Sequence, residues 1–418
     1  MVSTLIFHKM NARSSSVFKS KSTLLTFAMC VSQATYLIIT LLQVRFLGLD
    51  GFGKISILVS LSAVMALIFR AGIVTSISIM IAEAKEKKVE EIYFITLVIA
   101  LLSTLLIGMI ALLLVPSVGE SFGVQISKKY NFIYLLLGYF LLAEYAENVM
   151  KGNARIYLLS AYLVLNSSFI FFGTATLIFF NFEWQYFFLL RCIIQLILAL
   201  LVLMYFGKRF RINIAILSEL VITLKKVGLP LWFSHLADGL VGRVNEFVLA
   251  AFFSPEVSGT YKLITSLNAP CRIIMVGISK ARFAAYALLE AIPKKDMRIS
   301  NRISLIILSM PIFSTIILNL VTDYKISEVF LALIFAAFAS SIVSGYQLQN
   351  TFFEVKKQGG VLFKAGLLMG ITHSISIILL APNFAFSGAI LADLIAACIY
   401  YVLIKINYKR IYCYDSEN

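Results

Sequence analysis

Twelve predominantly apolar stretches, each long enough to cross a bilayer, occupy most of the 418 residues. They cover 24–43, 55–81, 92–115, 132–150, 156–180 and 184–206, then 229–252, 259–279, 303–321, 329–349, 362–381 and 384–404. A crossing helix needs about 20 apolar residues to span roughly 30 Å of hydrocarbon at a rise of about 1.5 Å per residue. Backbone polar groups in lipid must pair internally, which leaves helices or a closed barrel. A barrel strand alternates over about ten residues; continuous apolar runs such as Ile99–Val115 do not. Composition agrees: 60% hydrophobic and 14% charged, against roughly 45–50% and 25% for soluble domains. The expected fold class is an all-α integral membrane protein.

The charges orient the chain. With the N-terminus placed in the cytoplasm, 26 of the 36 Lys and Arg fall on inner segments and five (Arg45, Lys54, Lys128, Lys129, Lys325) on outer loops. That bias follows the positive-inside rule, so the chain is expected to be a multi-pass membrane protein with both termini cytoplasmic. A basic face beside anionic lipid also accounts for the net charge of +15 without nucleic acid. Residues 1–21 are polar and basic, and no small-residue cleavage site follows the first apolar run. The cysteines (Cys30, Cys192, Cys271, Cys398, Cys413) lack metal-ligand spacing and are odd in number, so they read as small packing residues. No metal or cofactor is expected.

The longest inner connection lies at the midpoint. The expected division is a cytoplasmic segment 1–21, an N-lobe of six helices over 22–206, a linker over 207–228, a C-lobe of six helices over 229–405, and a cytoplasmic tail 406–418. Within the linker, the apolar run Ile212–Leu224 followed by Lys225 and Lys226 reads as a helix lying on the inner surface. Six crossings per half make both halves enter from the same side. A pseudo-twofold axis between the lobes must then run along the membrane normal. A short internal match agrees: Gly53-Lys54-Ile55-Ser56 begins the second span of its half, as Gly259-Thr260-Tyr261-Lys262 does 206 residues later.

Ionisable groups inside spans cost several kcal/mol and default to functional roles. Arg70, Arg191, Arg243, Lys262 and Arg272 are the cations, and Glu144, Glu147, Asp238, Glu246 and Asp393 the acids, with His235 and His373 beside them. On the seventh span, His235, Asp238, Arg243 and Glu246 fall on one arc of about 140° at 100° per residue, so this helix cannot face lipid all round. Simpler readings also apply. Arg243 and Glu246 are spaced to neutralise one another, Glu147 can pair with Lys151, and Arg191 and Lys262 can snorkel. His373, alone on its span, reads as a packing residue. A polar cavity between the lobes would gather the cations as an anion-binding site, and the acids with His235 are candidates for coupling to a proton or sodium ion.

Arg45-Phe46-Leu47-Gly48 with Phe52-Gly53-Lys54-Ile55, and Ser258-Gly259-Thr260-Tyr261 in the second half, resemble elements of polysaccharide exporters of the multidrug/oligosaccharidyl-lipid/polysaccharide (MOP) flippase superfamily. With twelve spans the chain is most similar to Wzx-type O-antigen flippases. The resemblance implies a cargo of undecaprenyl-diphosphate-linked oligosaccharide, moved to the outer leaflet by alternating access in lipopolysaccharide biosynthesis, with a polymerase and a chain-length regulator as partners. Guanidinium groups suit its phosphates. No G-x-x-x-x-G-K-[ST] motif occurs, so an ion gradient is the expected energy source. Two alternatives remain. A drug or organic-cation exporter on the same fold would prefer carboxylates and aromatics, and the first span has no Asp or Glu. A membrane polymerase would need a large outer loop, and the longest here is 116–131.

Overall fold

The computed structural model describes residues 2–84, 86–124, 126, 128–153, 155–207, 214–287, 289–321, 326–356 and 358–412; the side chains of residues 2–22, His235 and Asp238 are among those outside the described set. Every regular element among the described residues is helical. In order they are α1 (Val2–Phe69), α2 (Ile73–Glu83), α3 (Glu86–Ser121), a 3₁₀ stretch (Lys128–Gly138), α4 (Tyr139–Gly152), α5 (Ile156–Phe179), α6 (Trp184–Phe206) and α7 (Ile214–Thr223). A π-turn (Leu224–Gly228) leads into α8 (Leu229–Phe252), followed by α9 (Pro255–Ala287), α10 (Lys294–Ile307), α11 (Met310–Val321), α12 (Ile326–Val355) and α13 (Gly359–Tyr412). Among the described residues, 8 helices are long and apolar enough to cross a membrane.

Two helices are too long for a single crossing and break where the backbone leaves helical geometry. In α1, of 68 residues, the break is at Gly48 (φ 69°, ψ 177°). In α13, of 54 residues, it is at Ala385 (φ 46°, ψ −129°), three residues after Pro382. Ala71 (φ 40°) and Gly72 (φ 77°) separate α1 from α2. The stretch 212–224 contains a helix, α7, which exposes Ile214, Leu217, Val221 and Ile222 while burying Ile216 and Leu220. Lys88 at the start of α3 holds its Glu219 at 2.6 Å.

The interior falls into several cores, one of which joins Val44 and Phe52 of α1 to Leu249, Tyr261 and Leu333. A second joins Ile77, Ile92, Ile107, Leu141 and Tyr145, all before α7. Another joins Met275, Tyr286, Phe352, Phe353 and Tyr400, all after it. Large apolar side chains such as Leu113 (73% exposed) and Phe179 (79%) point outward, as expected where the solvent is hydrocarbon. The halves meet most closely where α1 crosses α9. A Cβ on Gly53 would lie 1.8 Å from the Pro255 carbonyl oxygen, and one on Gly259 would lie 2.4 Å from the Leu49 carbonyl oxygen. No Cβ fits there, so the crossing requires glycine on both helices.

Candidate functional site

Four helices of the second half, with Gln33 of α1, surround a cavity of about 530 Å³. Each contributes one face. Gly239, Gly242, Arg243 and Glu246 recur at three- and four-residue steps on α8, and Lys262, Thr265, Ala269 and Arg272 do so on α9. Ser340, Val343, Gln347 and Asn350 follow the same rhythm on α12, and Ile390, Asp393 and Ala397 on the part of α13 beyond Ala385. Small residues keep the space open: nothing lies within 4 Å of a Cβ built on Gly242.

The charges inside are arranged rather than scattered. Glu246, with no exposed surface, accepts from Lys262 Nζ at 2.8 Å and from the Ser56 hydroxyl of α1. One helical turn away, Arg243 reaches Ser60 Oγ at 3.4 Å. Ser56 and Ser60 are both fully or nearly fully buried, so the second part of α1 anchors the polar face of α8. Lys262, rather than the sequence-neighbouring Arg243, thus serves as the close partner of Glu246. Desolvating this pair is affordable only because Glu246 keeps two donors. Arg272 is exposed to the cavity.

Asp393 is the second acidic centre. Its Oδ1 accepts from Asn245 Nδ2 at 2.8 Å and lies 3.1 Å from His373 Nε2, and its Oδ2 accepts from the Tyr261 hydroxyl at 2.8 Å. Asn245 also donates to Tyr261 at 2.8 Å. The four groups come from α8, α9 and both parts of α13. His373, 1% exposed, is therefore a partner of an intramembrane acid rather than a lone packing residue. The sequence carried no sign of this, because the His and its Asp lie on opposite sides of the Ala385 break.

The expected site residues divide into two groups. Arg243, Lys262, Arg272, Glu246 and Asp393 share the cavity. Arg70 and Arg191 do not line it. Arg70 lies 3.6 Å from Glu144, tying the end of α1 to α4. Arg191 of α6 sits over the Tyr36 ring, 5.4 Å from its centroid. Tyr36 in turn accepts from Asn166 at 3.0 Å. Each of these cations has an acid or a π-face in its own half, which keeps it there. Glu147 lies on α4 and does not line the cavity. His235 and Asp238 lie on α8, with their side chains outside the described residues. Among the described residues no group of His, Cys, Asp and Glu is arranged to hold a metal ion.

Comparison with known proteins places this arrangement. The chain is similar in fold to an inward-facing multidrug resistance MATE family transporter of the MOP superfamily (TM-score 0.74, 13% identity, covering 91% of this chain and 95% of that one). It is also similar to the MATE multidrug transporter DinF-BH (TM-score 0.73, 16% identity, 94% and 95%). A variant of the Vibrio cholerae MATE transporter VcmN has a TM-score of 0.64 at 14% identity over 95% and 98% of the two chains. At such identities the likeness is one of fold. No curated protein matches the sequence. The family described as Polysaccharide biosynthesis protein matches residues 19–283, more than half of the chain. The chain therefore belongs to that family and is a multi-pass membrane protein with the helical fold of MOP superfamily transporters.

Proposed function

We propose that this protein is a flippase that carries a lipid-diphosphate-linked oligosaccharide, an O-antigen or similar repeat unit on undecaprenyl diphosphate, from the inner to the outer leaflet of the bacterial inner membrane. The observation that carries the reading is the cavity in which Arg243, Lys262 and Arg272 face two carboxylates, beside the amides Gln33, Gln347 and Asn350. Three cations against Glu246 and Asp393 leave a net positive interior. Arginine forks bind phosphate oxygens, and amides replace water around sugar hydroxyls. Crossing unaided would strip hydrogen bonds from the sugar head at several kcal/mol per polar group.

The architecture we assign has twelve crossings in two six-helix lobes, 22–206 and 229–405, with 207–228 between them, 1–21 and 406–418 at the ends, and both termini cytoplasmic. Two observations support it. The breaks at Gly48 and Ala385 leave 49–69 of α1 and 359–384 and 386–412 of α13 as pieces each long enough for one crossing. The α1–α9 contact is reciprocal: Gly53 meets Pro255 and Gly259 meets Leu49, partners offset by the same 206 positions as the sequence match. Transport proceeds by alternate opening of the lobes, driven by a proton or sodium gradient acting at Glu246 and Asp393, with Glu144, Glu147, Asp238 and His235 as further candidates. Arg70 and Arg191 stay outside this cavity, beside Glu144 and Tyr36. A polysaccharide polymerase and a chain-length regulator would act on the product.

The second reading, a drug or organic-cation exporter, draws on the cavity carboxylates and on structural neighbours named as multidrug transporters. A membrane polymerase has no comparable observation behind it. The deciding experiment follows a fluorescent lipid-diphosphate oligosaccharide across proteoliposome bilayers, with and without a proton or sodium gradient. Protein-dependent movement is expected, faster with the coupled ion. Absence of movement with folded protein, together with movement of an organic cation, would transfer the function to the second reading.

A further inference from the structure

Helix α10 turns one face to the protein and another to its surroundings, and the two differ in charge. At about 100° per residue, Lys294, Lys295, Arg298, Arg302, Leu305 and Ile306 fall on one arc of roughly 120°. All of them are exposed. Asp296, Ser300 and Ile307 are buried on the opposite face. The helix is pinned from behind. Asp296 accepts from the Tyr286 hydroxyl at 3.2 Å and lies 3.4 Å from Arg282 Nη2. The Ser300 hydroxyl donates to the Ser344 carbonyl at 3.1 Å, and the Ser341 hydroxyl donates to the Ser304 carbonyl at 2.8 Å. These bonds fix the rotation of α10 and keep its outward arc aimed away from the protein.

That arc changes character along its length. Its cations run from 294 to 302, about 12 Å at a rise of about 1.5 Å per residue. Leu305 and Ile306, 68% and 59% exposed, follow directly, and Ile312, Phe313 and Ile316 of α11 extend the apolar surface. The stability of α10 does not account for these charges, because cations in the first turns of a helix oppose its macrodipole. Its one acid, Asp296, is turned inward. The start of α3 is different: Glu86, Glu90 and Glu91 are mixed with Lys87 and Lys88, and Lys88 pairs with Glu219 at 2.6 Å. On α10 the outward charge is left for an anion outside the protein to meet. With both termini cytoplasmic, the charged end of α10 lies at the inner leaflet.

We infer that the outward face of α10 binds an anionic glycerophospholipid of the inner leaflet, with its phosphate between Arg298 and Arg302 and its acyl chains along Leu305 and Ile306. The two arginines are one helical turn apart, and guanidinium groups grip phosphate oxygens through paired donors. The apolar residues next to them suit acyl chains and offer nothing to a soluble anion. An acidic segment of a soluble protein would meet the charges but not the apolar half of the arc. None of these residues lines the polar cavity, so the site stands whatever the protein carries.

The test measures retention of dioleoyl phosphatidylglycerol and of zwitterionic dioleoyl phosphatidylcholine by the purified full-length protein in detergent, using native mass spectrometry at equal lipid concentrations. The native chain should favour the anionic lipid at least about tenfold, since each cation at the membrane surface adds to the binding of an anionic headgroup. Arg298→Gln with Arg302→Gln should remove most of that preference. Lys225→Gln with Lys226→Gln, an equal loss of charge at another exposed position, should keep it. All four side chains are exposed, so both variants should melt at the temperature of the native chain. Glycerol 3-phosphate at the same concentration should not displace the lipid. The site is overturned if the native chain shows no preference, which would leave the face to an acidic soluble partner. It is overturned equally if the preference survives loss of both arginines, or if the Lys225 and Lys226 variant loses as much. Displacement by glycerol 3-phosphate would make it a site for soluble phosphate and not for lipid.

Discussion

Glu246 has no exposed surface, and its charge is held by Lys262 Nζ at 2.8 Å and by the Ser56 hydroxyl. Removing Lys262 leaves a buried carboxylate with one neutral donor, a loss that costs about 3–5 kcal/mol in comparable pairs. Lys262→Met should therefore lower thermal stability in detergent clearly, and adding Glu246→Gln should restore most of it. If the double variant is no more stable than the single one, the pair does not carry the junction between α8 and α9. Arg272 is placed differently: it faces the cavity and is exposed, so Arg272→Ala should leave stability nearly unchanged and impair transport, with Arg272→Lys recovering part. Normal transport by Arg272→Ala and Arg243→Ala at matched protein levels would remove the cationic cavity from the mechanism. That Arg243 and Glu246 share one face of α8 was readable from spacing alone. Their partners were not: Lys262 lies 16 positions from Glu246, and Ser56 lies 190. Such pairings are set by which helices pack together, which a linear pattern does not contain.

At the level of elements, apolar length located nearly every helix, because in lipid a helix is the only open-ended way to satisfy the backbone. The breaks were less legible. Ala385 adopts φ 46° and ψ −129°, near the first central position of a type II′ turn, where glycine dominates. Nothing in Phe384-Ala385-Phe386 announces this; only Pro382 and Asn383 hint at a turn. Ala385→Gly should stabilise the protein by roughly 1 kcal/mol by relieving the positive φ, seen as a higher melting temperature; a fall would mean the backbone there is not strained. The Gly53–Gly259 crossing was half legible, since the motif match marked both positions without indicating that they touch. A methyl group has no room at either position, so Gly53→Ala and Gly259→Ala should each destabilise by about 1–3 kcal/mol, the usual range for overpacking. The pair share one contact, so the double variant should cost less than the sum. Gly360→Ala, where nothing lies within 4 Å of the new Cβ, is the neutral control.

For the molecule as a whole, the division of labour between halves determines what must move. The polar cavity belongs mainly to the second half, yet Ser56, Ser60 and Gln33 reach it from α1. Any motion that separates α1 from α8 and α9 therefore remakes the wall around Glu246 and Arg243. The Gly53–Gly259 crossing lies near the break in α1 and the start of α9, where Gly53 packs on Pro255 and Gly259 on Leu49. If the halves alternate, this crossing must part while the cargo leaves. Asp50 and Glu256, exposed and 206 positions apart like the glycines beside them, are suited to report it. In a chain freed of its five cysteines, spin labels at Asp50→Cys and Glu256→Cys should give one short separation at rest. A second, longer population should appear when lipid-linked diphosphate and an ion gradient are supplied together, and Gly53→Ala should raise that population even without them. A single unchanged distance under every condition would mean that this end stays shut, and that cargo leaves by a route which does not part the two halves.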